Sequence, residues 1–124
     1  MRVSIAGESL DQLLSFAGGQ HPYEVIVLLR GRRAQDTIIV DEFLLPPFAS
    51  VGTNFAQFPV HMLPIDFSVV GTAHSHPTGA TRPSTADLKN FYSRVMIIIG
   101  HPYRREDVVA YNSKGMRLPL DVND

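Results

Sequence analysis

The run Ser68-Val69-Val70-Gly71-Thr72-Ala73-His74-Ser75-His76-Pro77 constrains the fold of this chain more than any other stretch. Its β-branched and small residues favour an extended strand, and side chains alternate along a strand, so His74 and His76 project from the same face. Both imidazoles then reach one metal ion. A Pro/Gly/Thr loop from Pro77 to Pro83 follows, and Ser84-Thr85-Ala86-Asp87 reads as a helix start. If the three residues share an ion, the fold brings a strand end bearing two ring nitrogens close to a first helical turn bearing a carboxylate. Two imidazoles and one carboxylate form a donor set used by catalytic zinc, and three protein ligands leave one position open for water.

Each part also has a plainer reading. A lone His-x-His is an incidental turn in many chains and gains weight only from its context. Ser84-x-x-Asp87 after Pro83 resembles a capping box, in which the serine oxygen accepts from a backbone N–H and the acid reaches back. The two roles are compatible, because a first-turn carboxylate is rigid and stays ionised near the positive end of the helix dipole. Glu24 heads the apolar run Val25-Ile26-Val27-Leu28-Leu29. It is either a solvated strand-end residue or a general base beside metal-activated water, and spacing does not choose it over Glu8, Glu42 or Glu106.

Along the chain, Arg2 to Ile5 is expected as a short strand. Leu10, Leu13, Leu14 and Ala17 recur at helical spacing before the stop signal Gly18-Gly19. Glu24 to Leu29 reads as a buried strand, Arg30, Arg32 and Arg33 around Gly31 as a turn between strands, and Thr37 to Leu45 as a further strand. Ser50 to Asn54 reads as a polar loop, and Phe55, Gln57 and Phe58 lead into a strand ending near His61. A second helix is expected from Ser84 with Leu88, Phe91, Tyr92 and Val95 on its apolar side. Met96 to Gly100, Asp107 to Tyr111 and, after the turn Asn112 to Gly115, Met116 to Val122 read as strands. Without a regular βαβ repeat, the pattern predicts an α+β fold with a mixed or antiparallel sheet.

With 124 residues the chain is expected to form one domain, 1–124. Eleven basic against 12 acidic residues, net charge −1, give no reason to expect a nucleic-acid partner. The absence of cysteine excludes thiolate nucleophiles and zinc fingers, and suits a reducing cytoplasm. Glu8 interrupts the N-terminal segment before an apolar core develops, so it does not read as a signal peptide. Pro46, Pro47, Pro59 and Pro64 break the uncharged stretch from Phe43 to Ile65, so no membrane span is expected. His21, His61 and His101 read as surface or structural rather than as a fourth ligand, and Phe55, Phe58, Phe67 and Phe91 as core.

Glu24, then His74-x-His76, seven residues, Ser84-x-x-Asp87 resembles the JAMM motif of the MPN+ metalloprotease family. Met62-Leu63-Pro64-Ile65 and Tyr111-Asn112 also resemble small archaeal JAMM proteins, of the desampylase-like kind, so the resemblance spans essentially the whole chain. It implies a single MPN domain, cytidine-deaminase-like in fold, with a mixed sheet flanked by helices. It further implies one zinc ion held by His74, His76 and Asp87, Glu24 as general acid/base, and Ser84 as an oxyanion donor. The implied reaction is hydrolysis after the C-terminal glycine of ubiquitin or a ubiquitin-like modifier, usually an isopeptide to lysine. The chain is close to a minimal domain and leaves little room for the insertions that give ubiquitin-specific relatives their linkage recognition. The modifier's tail is expected to lie extended, near Gly52 to Phe58 or along a sheet edge.

Three other functions use the same residues: processing of a sulfur-carrier ubiquitin-like protein, a non-catalytic MPN scaffold, and metal binding for storage or stability. Oligomeric state, including a homodimer, is open at this level.

Overall fold

The computed structural model describes residues 1–45 and 68–124, together with the backbone of Ser50–Val51 and Ala56–Gln57 between them. The elements run β1 (Arg2–Ala6), α1 (Gly7–Gly19), β2 (Ile26–Ala34), β3 (Thr37–Leu44), β4 (Ser50–Val51), β5 (Ala56–Gln57), β6 (Val69–His76), α2 (Thr85–Lys89), β7 (Val95–Gly100), β8 (Val108–Tyr111), β9 (Arg117–Leu118) and β10 (Leu120–Asn123).

Helix α1 forms where the apolar spacing places it. Leu10, Leu13, Leu14 and Ala17 are all buried on one stripe, Glu8 lies in the first turn, and the chain leaves through Gly18 and Gly19. The stripe packs with Val3, Ile5, Val27, Leu29, Ile97 and Ile99 in the main core. Each fully buried leucine there contributes about 1.5–3 kcal/mol by apolar burial.

The main sheet has the order β10-β1-β3-β2-β6-β7-β8-β9. It is mixed: β1 pairs parallel with both β10 and β3, and β6 pairs parallel with β7, while β2 pairs antiparallel with β3 and β6. The two edges are consecutive in the chain. One strand was expected over Met116 to Val122, but Pro119, which lacks an N–H for a ladder, divides it. Leu118 pairs with Ala110 on one edge, Leu120 pairs with Val3 on the other, and Pro119 O accepts from Val3 N–H at 2.9 Å. The sheet therefore curls until its two edges meet at Pro119, around the face that holds α1.

Strands β6 and β7 are buried along their whole length. Their close approach needs Gly71, where an added Cβ would collide with the Val95 carbonyl. Val95, Ile97 and Ile99 face α1, whereas Met96 and Ile98 face the other way with Val109, Tyr111 and Phe91. Phe91 thus joins a core cluster as expected.

Three expectations are corrected. Arg30, Arg32 and Arg33 are not a turn: β2 continues to Ala34, with a register shift between Arg30 and Gly31, and the reversal comes at Gln35–Asp36, where Gln35 has φ 55°. The β2–β3 ladder keeps the segment extended, and Arg30 pairs with Glu42 and Arg32 with Asp41 across the hairpin. Helix α2 is shorter than its apolar spacing suggests, ending at Lys89 with Asn90 as its cap. Phe91 and Tyr92 lie beyond it, because Ser93 takes φ 67° and Ser93 Oγ bonds Val69 O to bring the chain back to the sheet at Val95. Ser50–Val51, expected in a loop, pairs with Ala56–Gln57 as a two-stranded ribbon. The strand reading around Phe58 to His61, the side chains of Phe55, Phe58 and Phe67, and the Gly52 to Phe58 groove lie outside the described residues.

Candidate metal centre

Strand β6 carries Thr72, His74 and His76 on the face away from α1. The cross-strand neighbours of His74 are Ile26 on β2 and Ile98 on β7, so the imidazole rises from an apolar floor. His74 is 4% exposed and His76 8%. The loop after β6 doubles back, with Gly79 N–H and His101 N–H both donating to His76 O. It delivers the start of α2 over the two rings.

That start is a complete capping box. Asp87 N–H donates to Ser84 Oγ at 3.0 Å and Ser84 N–H donates to Asp87 Oδ2 at 2.8 Å. Asp87 nevertheless faces the histidines: Oδ1 lies 3.5 Å from His74 Nδ1 and Oδ2 lies 3.1 Å from His76 Nε2. The sequence set cap against ligand as competing readings, and the structure places one carboxylate where it serves as the cap and also meets both rings. His76 and Asp87 contact one another directly. Two ligands each about 2.0–2.1 Å from a tetrahedral zinc ion lie about 3.3 Å apart, which the 3.1 and 3.5 Å separations bracket.

The donor chemistry fits a cation between the rings and the carboxylate. Ala80 O, 2.9 Å from His76 Nδ1, can only accept, so Nδ1 carries the proton and Nε2 is the nitrogen turned to Asp87. A neutral ring in that tautomer sets a lone pair against a carboxylate oxygen, which is unfavourable unless a proton or a metal ion lies between them. The charge states agree. Burial lowers the His76 value, but the hydrogen bond and charge of Asp87, with Ala80 O and Glu24, outweigh it and leave His76 raised. Burial dominates at His74 and holds it at about 4, so that ring is neutral and available as a donor, with Thr72 Oγ 3.2 Å from its Nε2. Asp87 is held at about 2: burial would raise it, but the hydrogen bonds from His76 and Ser84 N–H and the charges of both histidines prevail.

Glu24 lies just before β2 and lines the same cleft as His76, Pro77, Thr78, Ala80, Arg82 and Ser84, a space of about 260 Å³. Burial, reinforced by Asp87 and opposed by His76, raises its carboxyl above the ordinary value. Its Oε2 is buried with no hydrogen-bond partner among the described residues. Of Glu8, Glu24, Glu42 and Glu106, this cleft takes Glu24: Glu8 lies on α1, Glu42 is paired with Arg30, and Glu106 with Arg104.

All five residues singled out from the sequence therefore converge. Sequence reasoning missed Thr72, Ala80 and Arg82. The alternation that joined His74 to His76 also puts Thr72 on their face, so that signal was present. Nothing in the sequence announces a backbone carbonyl such as Ala80 O. His21 and His101 were expected to be surface or structural residues rather than a fourth ligand, and neither ring contacts His74, His76 or Asp87 among the described contacts. They stack on each other at 4.5 Å, and His21 Nδ1 is hydrogen-bonded to Tyr103 Oη at 2.6 Å.

Comparison with known proteins agrees with this geometry. Residues 8–114 match the family model for prokaryotic homologues of the JAB domain. A protein of Haloferax volcanii described as a probable metalloprotease is 40% identical over 129 residues, covering 98% of this chain and 80% of that protein. Among solved structures, one described as a JAMM metalloprotease-like zinc site in the proteasome and signalosome matches with TM-score 0.75 and 29% identity, over 100% of both chains. A JAB1/MPN domain protein of Archaeoglobus fulgidus matches with TM-score 0.70 and 30% identity, again over 100% of both chains. A protein of Desulfitobacterium hafniense, 17% identical over 98% of this chain and 93% of that one, shares the fold with TM-score 0.65. The chain belongs to the JAMM/MPN+ family, among the prokaryotic homologues of the JAB domain, and carries that family's metalloprotease-like domain.

Proposed function

We propose that this chain is a zinc-dependent peptidase that hydrolyses the bond after the C-terminal glycine of a ubiquitin-like modifier, with an isopeptide to lysine as the leading substrate. His74, His76 and Asp87 would hold one zinc ion, which when bound supplies Lewis-acid polarisation and lowers the pKa of water to about 7. The observation that carries the reading is the position of Asp87: its oxygens face His74 Nδ1 and His76 Nε2, and Glu24 lines the same cleft.

Glu24 is suited to proton transfer. Its Oε2 has no competing donor among the described residues, and a carboxyl raised by burial holds a proton more readily than an exposed one. It takes a proton from the attacking water at Oε2 and returns it to the leaving amine. Ser84 Oγ accepts from Asp87 N–H, which leaves its hydroxyl hydrogen free to donate to the developing oxyanion. The test is to incubate zinc-loaded wild type and Glu24→Gln with lysine conjugates of ubiquitin-like proteins. Cleavage by wild type alone is expected. Cleavage by both removes Glu24 from the mechanism, and cleavage by neither removes this substrate class.

Arg82 favours a second reading, removal of a terminal amino acid from a sulfur-carrier ubiquitin-like protein. It lines the cleft and enters none of the ion pairs among the described residues. A guanidinium is shaped to bind a carboxylate, and an α-peptide leaving group carries one two bonds from the scissile nitrogen. A lysine ε-amine does not.

A further inference from the structure

Glu24 sits on neither a helix nor a strand. It belongs to the connection between the end of α1 and the start of β2, so something other than a regular ladder must fix it over the rings. On the β2 side the ladder ends in an unusual way. Ile26 pairs with His74, and the next pair, Val25 with Ser75, would ordinarily exchange two backbone bonds. Ser75 N–H does donate to Val25 O at 3.0 Å, but Val25 N–H donates to the Ser75 side-chain Oγ at 2.9 Å. The hydroxyl takes the place of a ladder acceptor, and it holds the amide joined directly to Glu24. Ser75 is fully buried, between the two histidines in sequence and on the opposite face of β6.

The other end of the connection is also tied. His21 N–H donates to Gly18 O, Tyr23 N–H donates to Gln20 O, and the His21 ring bonds Tyr103 Oη, stacked on His101. His101 is anchored in turn to His76 O through its backbone N–H. Both ends of the Glu24 connection are thus fastened to the two strands that frame the centre, β6 through Ser75 and the end of β7 through Tyr103.

We propose that Ser75 is a positioning residue that holds Glu24 over the metal centre, with Tyr103 as the second anchor of the same clamp. This rests on Glu24 being the proton-transfer group. A base displaced by about 1 Å loses on the order of a hundredfold in rate, so removing the Ser75 hydroxyl acts on turnover while the ligands stay in place.

The experiment uses the full zinc-loaded chain with a lysine conjugate of a ubiquitin-like protein, comparing wild type, Glu24→Gln, Ser75→Ala, Ser75→Thr and Tyr103→Phe. Ser75→Ala is expected to lower kcat on the order of tenfold or more, with KM within about twofold and one zinc retained. Ser75→Thr, which keeps the hydroxyl, is expected to recover most of the rate, and Tyr103→Phe to lose several-fold. A wild-type kcat in Ser75→Ala alongside an inactive Glu24→Gln overturns the clamp alone, whereas an active Glu24→Gln overturns the base assignment and the clamp with it. Zinc loss in Ser75→Ala places its action on the ligands and overturns the proposal. Should Ser75→Ala fail to fold, a wild-type kcat in Tyr103→Phe overturns it. Amide exchange at Val25 needs no substrate: faster exchange in Ser75→Ala is expected, and unchanged protection refutes the hold.

Discussion

Ser84 and Asp87 bind each other reciprocally, Asp87 N–H to Ser84 Oγ and Ser84 N–H to Asp87 Oδ2, while the same Oδ2 stands 3.1 Å from His76 Nε2. A motif that sets a helix boundary therefore also aims a carboxylate at the histidine rings. The two jobs separate under mutation. Ser84→Ala is expected to cost about 1 kcal/mol of stability through the lost cap but on the order of a hundredfold in kcat through the lost oxyanion donor. Thermal melting and steady-state kinetics on one preparation check both, and a wild-type rate reduces Ser84 to a cap.

Asp87→Ala removes the cap's return bond and the carboxylate that meets both rings. Zinc content by elemental analysis is expected to fall to background, and chelator-treated wild type should match it in activity. Retention of stoichiometric zinc in Asp87→Ala removes Asp87 from the ligand set.

Thr72 Oγ meets the far nitrogen of His74 and is 1% exposed. Partners of this kind orient a ligating ring, and losing one costs on the order of 10- to 100-fold in metal affinity. Thr72→Val keeps the shape and deletes the contact. Competition with a chromogenic zinc chelator measures the loss, and unchanged affinity shows that the apolar floor alone orients the ring.

The metal-free protein should lose stability as pH falls below neutrality. His74 sits at about 4 against the 6.5 of an ordinary imidazole, so between these values the unfolded chain takes up a proton that the folded chain refuses. This group alone withdraws up to about 3 kcal/mol over that window. Asp87, held at about 2, contributes stability that is present above its unfolded value and lost as pH falls through the folded one. His76 is raised and has the opposite sign: its contribution is full below 6.5 and is lost as pH rises through its folded value. Denaturant midpoints from pH 4 to 8 on chelated protein read the balance, and a midpoint that does not fall toward pH 4 contradicts the burial of a neutral His74.

Arg82 gives a substrate test. Zinc-loaded enzyme is expected to cleave a Gly-Gly-Xaa tail with a free carboxylate about tenfold better than its amide, and Arg82→Ala to erase the difference, since a hydrogen bond to a charged group contributes about 1.5–3 kcal/mol. Equal cleavage of acid and amide by wild type removes the sulfur-carrier reading.

Periodicity was a good guide wherever burial is local to one element. The stripe Leu10, Leu13, Leu14 and Ala17, the apolar run from Met96 to Gly100 and the strand delivering His74 and His76 all stand where their patterns place them, while Val95, expected on the second helix, opens β7 instead. It failed where a distant contact decides. Apolar spacing carried the second helix through Phe91 and Tyr92, but those side chains pack on two different clusters of the outer face, and the return to the sheet at Val95 cuts the helix at Lys89. The basic residues around Gly31 read locally as a turn, but backbone pairing with Ile38 to Glu42 on the next strand keeps them extended.

By itself the sequence determined the histidine pair, its alternation on one strand face and the helix start that carries Asp87, because these depend on residues close together in the chain. Spacing left Glu24 level with Glu42 and Glu106 and only the resemblance singled it out; the tertiary structure shows that Glu24 enters the cleft, and it alone decided that Ala80 O fixes the tautomer of His76 and that Ser75 grips the amide beside Glu24. Glu24 and Ser75 are 51 positions apart and meet because the antiparallel pairing of β2 with β6 brings Ile26 opposite His74. That register comes from side chains burying on both faces of a curled sheet, and no local pattern encodes it.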